Sequence, residues 1–160
     1  MRVKGITVED FVNYKLPSLF IGSCFCNWKC CNEQGLDISV CQNQSLAQAP
    51  IIDMADEDIY EMYVSNPITQ AVVIGGLEPM QQFDELINLI SRFRHNGEMC
   101  PFVIYTGYEP CEIPLKIKCL KALPNIIIKF GRYALNNKPH YDDVLGVKLA
   151  SDNQYGEVIS

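Results

Sequence analysis

Three short, mostly apolar runs constrain the fold most. They are Ala71-Val-Val-Ile74, Phe102-Val-Ile-Tyr105 and the segment from Asn125 to Phe130. A strand with one wet face alternates apolar and polar residues. One that is apolar throughout is covered on both faces, as in a parallel sheet. Leu16 to Ile21 reads as another such strand, and Val147 to Ala150 as a weaker one. Helices fall between them. Asp53 to Asn66 starts with acidic residues that suit the helix dipole. Gln82 to Asn96 carries Leu86, Leu89, Ile90 and Phe93 on one face and stops at Gly97. Ile117 to Leu123 is a short helix closed by Pro124. Strands alternating with helices imply an α/β fold with parallel strands and right-handed crossovers. The chain has 160 residues, too few for a closed eight-fold barrel. The expectation is an open, partial (βα) barrel of about five or six mostly parallel strands, forming one domain over residues 1–160.

The strands end in turns rich in Gly, Ser or Thr: Gly22-Ser23, Gly75-Gly76, Thr106-Gly107, Gly131 and Ser151. Ligands of parallel α/β folds sit at the C-terminal ends of the strands, so these turns are expected to face one site. Charge narrows the ligand class. Thirteen basic and 19 acidic residues give a net charge of -6, and there is no basic run. Such a chain is a poor binder of nucleic acid or anionic membrane. No apolar stretch is long enough to span a bilayer, and MRVKGITVED lacks a signal-peptide core. A cytoplasmic protein is expected.

Eight cysteines and two histidines define the chemistry. Cys24, Cys26, Cys30, Cys31 and Cys41 fall in one polar segment, read as a long loop from Cys24 to Pro50. In a reducing compartment such a group points to metal or redox chemistry rather than disulfides. No pair has Cys-x-x-Cys spacing, which argues against zinc ribbons and thioredoxin motifs. His95 and His140 cannot make a three-histidine zinc site. An iron–sulfur cluster is the favoured reading; zinc and simple burial are the alternatives. Cys100, Cys111 and Cys119 are scattered and read as packing residues.

The segment from Cys26 to Cys30, with Cys41-Gln-Asn43, resembles the cluster motif of radical S-adenosylmethionine proteins, close to the activating enzymes of anaerobic ribonucleotide reductase. The family's usual motif is Cys-x3-Cys-x2-Cys. Here Glu33 stands where the third cysteine is expected, and the motif reads Cys-x3-Cys-x10-Cys with Cys41 third. Cys31 and Cys24 are the fallbacks. Adjacent side chains usually diverge, which disfavours Cys30 and Cys31 on one cluster. Val72-Val-Ile-Gly-Gly-Leu-Glu-Pro-Met80 resembles the family's strand-ending Gly-Gly-Glu-Pro turn, with Leu77 inserted. Phe102 to Tyr108, Ile128 to Tyr133 and Leu149 to Gln154 resemble later segments in the same order. The resemblance runs from about residue 14 to 156.

The resemblance implies a radical S-adenosylmethionine fold and two cofactors, a 4Fe-4S cluster and S-adenosylmethionine. Cys26, Cys30 and Cys41 would hold the cluster. Gly75, Gly76, Glu78, Thr106, Ser151 and Asn153 would line the S-adenosylmethionine site. Trp28 would shield the cluster, and Arg132 reads as a surface or carboxylate-pairing residue. The implied reaction is reductive cleavage of S-adenosylmethionine to a 5′-deoxyadenosyl radical, which makes a glycyl radical on a partner such as anaerobic ribonucleotide reductase. A flavodoxin-like reductant would supply the electron. The alternatives are radical chemistry on another peptide or small molecule, and a non-catalytic iron–sulfur or zinc module.

Overall fold

The computed structural model describes residues 1–160. Its elements are β1 (Arg2–Val3), β2 (Gly5–Asp10), β3 (Ser18–Gly22), α1 (Lys29–Asn32), α2 (Gln44–Gln48), β4 (Ile52–Asp53), α3 (Asp56–Val64), β5 (Ala71–Gly75), α4 (Phe83–His95), β6 (Phe102–Tyr105), α5 (Pro114–Leu120), β7 (Ile126–Phe130), β8 (His140–Asp142), β9 (Val147–Leu149) and β10 (Tyr155–Val158). Six strands form the central sheet in the order β10-β7-β6-β5-β3-β2. The inner four are parallel, and the edge strands β2 and β10 run antiparallel to their neighbours. The protein is mixed α/β with a mostly parallel central sheet.

Within the inner four, strands stand side by side in chain order. Right-handed crossovers between strands laid down in one direction put every helix on the same face. That face carries the main core. Leu19, Ile21, Val72, Ile74, Phe102, Ile104, Ile126 and Ile128 point into it from the strands. Ile59 and Tyr63 of α3, the stripe Leu86, Leu89, Ile90 and Phe93 of α4, and Leu120 of α5 close over them. Phe93 lies edge-on to both Tyr60 and Phe102, with ring centroids 5.1 and 5.0 Å away.

Alternate residues of the same strands form the second face: Ala71, Val73, Val103 and Ile127, packed with Tyr14, Leu145 and Leu149. No helix covers it. The β8–β9 hairpin does so instead. This corrects the reading of Val147 to Ala150 as a strand of the main sheet. A parallel return needs a crossover of a dozen or more residues, usually helical. The stretch after Phe130 forms no helix and folds back as a hairpin. Strands β2 and β10 are extra to the sequence reading, because exposed edge strands lack the apolar signature that exposes buried ones. No helix is long and apolar enough to cross a membrane.

Candidate metal centre

The main cavity, of about 540 Å³, opens on the second face at the C-terminal ends of the parallel strands. Gly76, Leu77 and Glu78 follow β5 into its wall, Thr106 and Gly107 follow β6, and Gly131 and Arg132 follow β7. The turns after β5, β6 and β7 therefore share one site, whereas Gly22-Ser23 and Ser151 do not line it. Its other wall is the cysteine segment, which is not a plain loop. It contains α1, a 3-10 turn at Ile38–Val40, and α2.

Cys26, Cys30, Cys31 and Cys41 all line this cavity. Cys24 does not. It is buried beside Arg2, Lys4 and Glu85, and its backbone N–H donates to Gln82 Oε1 at 2.6 Å. Cys30 and Cys31 do not diverge: their sulfurs are 3.9 Å apart. The short helix α1 carries both, Cys31 buried and Cys30 half-buried. Burial pushes the thiols of Cys26 and Cys31 up to about 11, so both are protonated at neutral pH and a metal must displace their protons on binding. Of the three scattered cysteines only Cys100 is a packing residue; Cys111 and Cys119 are exposed.

These donors suit a cluster better than a single ion. Zinc takes four ligands around one centre. No three Cys, His, Asp or Glu side chains here converge on one point. A cubane accepts thiolates on separate irons, so its ligands are spread around a cavity wall. Four thiols on one wall fit that demand, and Cys31 joins Cys41 as a geometric candidate for third ligand.

The glycine turn is tightly packed. Gly76 has φ +79°, and a Cβ there would overlap Leu46 Cδ2 of α2. Leu46 also lies against Gly22, so the two strand-end glycines admit the helix that follows the last loop cysteine. Gly75 accepts bonds from Ser23 N and Ser23 Oγ, both at 2.9 Å, and is not on the cavity wall. Despite the inserted Leu77, Glu78 points inward. Its carboxylate is 7% exposed and accepts bonds from Thr106 Oγ1 at 2.8 Å, Gly107 N at 2.9 Å and Met80 N at 3.0 Å. Burial raises its pKa against the pull of these donors. Thr106 is thus Glu78's direct partner.

Ser151 and Asn153 stand off the cavity wall. Ser151 Oγ accepts from Ala134 N at 3.0 Å, and Asn153 Nδ2 donates to Arg132 O at 2.8 Å. They brace the chain after β7, while their neighbours Ala150 and Gln154 reach the cavity. Trp28 does line it, with its backbone in the left-handed region at φ 56° and its N–H donating to Cys26 Sγ at 3.3 Å. A bulky residue rarely holds that conformation.

Two features escaped the sequence reading. The first is a ring of four charges around α1. Lys29 pairs with Glu33 and Glu112, and Arg132 pairs with the same two carboxylates. Arg132 Nη2 spans both Glu112 oxygens at 2.6 and 2.7 Å. These pairs hold Glu112 down to about 2. The ring fastens the cysteine helix to the end of β7, and only tertiary contact brings its members together. The second is Lys129, 6% exposed in β7 and on the cavity wall. Its sequence signal was available: one lysine inside the run Ile-Ile-Ile-Lys-Phe.

Fold and site together define an α/β protein with a thiol-lined cavity at the ends of its parallel strands. The sequence matches the 4Fe-4S single cluster domain family over residues 16–149, most of the chain, and the protein belongs to that family. No curated protein and no solved structure matches it.

Proposed function

We propose that this iron–sulfur protein is a radical S-adenosylmethionine enzyme, acting as the activase of a glycyl radical enzyme such as anaerobic ribonucleotide reductase. One observation carries the reading: the cysteines share a cavity with the Gly76–Glu78 turn at the ends of singly wound parallel strands. An electron carrier would need the thiols but no such turn, nor a cavity of this size. The open sheet supports a partial barrel, with a large substrate closing the site.

Cys26, Cys30 and either Cys41 or Cys31 would hold a 4Fe-4S cluster as thiolates. The chemistry such a cluster supplies is one-electron reduction of the sulfonium of S-adenosylmethionine, which breaks the C5′–S bond and leaves a radical able to take hydrogen from a partner's glycine. The protein's own part is orientation and dryness. The backbone at Gly76, with the Glu78 carboxylate behind it, would face the ligand's ammonium. Thr106 and Gly107 fix that carboxylate by hydrogen bonds. Phe20, Trp28 and Tyr105 line the cavity and would keep water from the reacting atoms. A cytoplasmic, flavodoxin-like reductant would deliver the electron.

Anaerobic reconstitution with iron and sulfide, reduction and addition of S-adenosylmethionine tests this directly. The expected product is 5′-deoxyadenosine. If none forms, and S-adenosylmethionine leaves the cluster's EPR signal unchanged, the enzymatic reading fails.

A further inference from the structure

The cavity wall carries the thiols of Cys26, Cys30, Cys31 and Cys41. The proposed site uses Cys26, Cys30 and one further thiolate, so one sulfur is left without a task. Cys31 is the best placed for another. The charges of Cys26, Cys30 and Cys41 all reach it. It is 4% exposed, yet it belongs to neither apolar core of the sheet. A free cysteine that only packs lies among apolar side chains. Cys31 instead meets the cavity from α1, its sulfur 3.9 Å from that of Cys30.

That position is built into the backbone. The carbonyl of Cys31 accepts from Gln34 N at 3.1 Å and Leu36 N at 3.0 Å. The Gln34 side chain then ties α1 to the stretch after β7. Its Nε2 donates to Cys30 O at 2.7 Å and Tyr133 O at 2.8 Å, and its Oε1 accepts from Leu135 N at 2.8 Å. Rotation of the two cysteine side chains between staggered positions can part their sulfurs without moving α1. A cubane has four irons, and a thiolate on each is its ordinary complement. An iron without one is open to water, which also shifts the cluster's potential.

We propose that Cys31 is a fourth, exchangeable ligand: in the ligand-free protein its thiolate caps the iron that Cys26, Cys30 and Cys41 leave open. The cap needs only a 4Fe-4S cluster, the cofactor of the family. Its exchange rests on the S-adenosylmethionine reading above. When the ligand's amine nitrogen takes that iron, the iron–sulfur bond to Cys31 breaks. Cys31 leaves as a thiol, carrying the proton that the ligand's ammonium sheds, and no electron moves. The buried seat beside Cys30 receives it.

Mössbauer and EPR spectra of the anaerobically reconstituted protein test this without turnover. In ligand-free wild type the irons should all look alike, and mild ferricyanide oxidation should yield little 3Fe-4S signal. Cys31→Ala should keep its iron and sulfide but show one iron distinct from the rest, and the same oxidation should yield a several-fold larger 3Fe-4S signal. Cys31→Val, which fills the buried seat without a sulfur, should do likewise and serves if the alanine variant folds poorly. Cys24→Ala should match wild type. A distinct iron already present in ligand-free wild type, or folded Cys31 variants that match wild type, overturns the proposal. So does loss of the cluster from folded Cys31 variants, which makes Cys31 an indispensable third ligand. S-adenosylmethionine added to wild type should bring out the distinct iron. If it does not, the exchange falls while the cap stands, and the 5′-deoxyadenosine assay separately decides the S-adenosylmethionine reading.

Discussion

The two faces of the central sheet use the same strands for opposite purposes. Toward the helices, Ile74, Ile104 and Ile128 meet Leu86, Leu89 and Phe93 in a core with no charge in it. Toward the hairpin, Val73, Val103 and Ile127 make a smaller apolar patch, and the next inward position of two strands is Tyr105 or Lys129. One face maximises buried apolar area. The other stops short of the strand ends and leaves room for thiols, a carboxylate and an ammonium. Stability and chemistry are thereby separated by the pleat, because successive side chains of a strand point to opposite sides.

That separation can be broken most visibly at Phe93. Phe93→Ala removes a ring fully buried between Tyr60 and Phe102 and should cost about 3–5 kcal/mol in urea unfolding. The folded fraction should still take up iron normally. On the other face, Cys30→Ala should lose most cluster iron while shifting the unfolding midpoint little. The pair Cys41→Ala and Cys31→Ala sharpens this. Whichever retains a full iron and sulfide complement is not the third ligand.

Gly76→Ala sits where the faces meet the cysteine segment. A non-glycine residue in the left-handed region costs about 1–2 kcal/mol, and Leu46 must also move. The expected result is a modest loss of stability with a larger fall in iron incorporation. Equal losses in both would refute a coupling between α2 and the thiols.

The smallest effect belongs to the charge ring. Glu112→Gln should cost less than about 1 kcal/mol, as surface pairs do. It should nevertheless speed alkylation of Cys30 and Cys31 in metal-free protein, and wild-type protein in high salt should approach the variant. The acid dependence follows from Glu112. Its pKa is depressed from 4.5 to about 2 in the folded state. Its contribution is therefore present above pH about 4.5 and fades as pH falls toward 2. Chemical denaturation of Glu112→Gln across that window should show a shallower loss than wild type.

Continuous apolar runs and the periodicity of Gln82 to Asn96 were enough to read β5, β6, β7 and α4 to within a residue or two. Each element's signal is local and matches its burial. The grouping of Gly76, Glu78 and Thr106 at one site also followed, since the strand ends of a parallel sheet share an edge. The group of five cysteines between Cys24 and Cys41 brought out the iron–sulfur chemistry that the family match supports, and the resemblance singled out Cys26, Cys30 and Cys41.

Tertiary structure alone decided the rest. Adjacent residues Cys30 and Cys31 turn their sulfurs to within 3.9 Å because a short helix seats them on the cavity wall. Val147 to Leu149 left the main sheet because no helix follows β7 to carry it back. Glu112 and Arg132, 20 residues apart, close a ring around Lys29 and Glu33 that no local pattern encodes. Sequence fixes which faces must be buried, because burial is read residue by residue. Which charges meet depends on how distant segments come together, as the pairing of Arg132 with Glu33 and Glu112 shows.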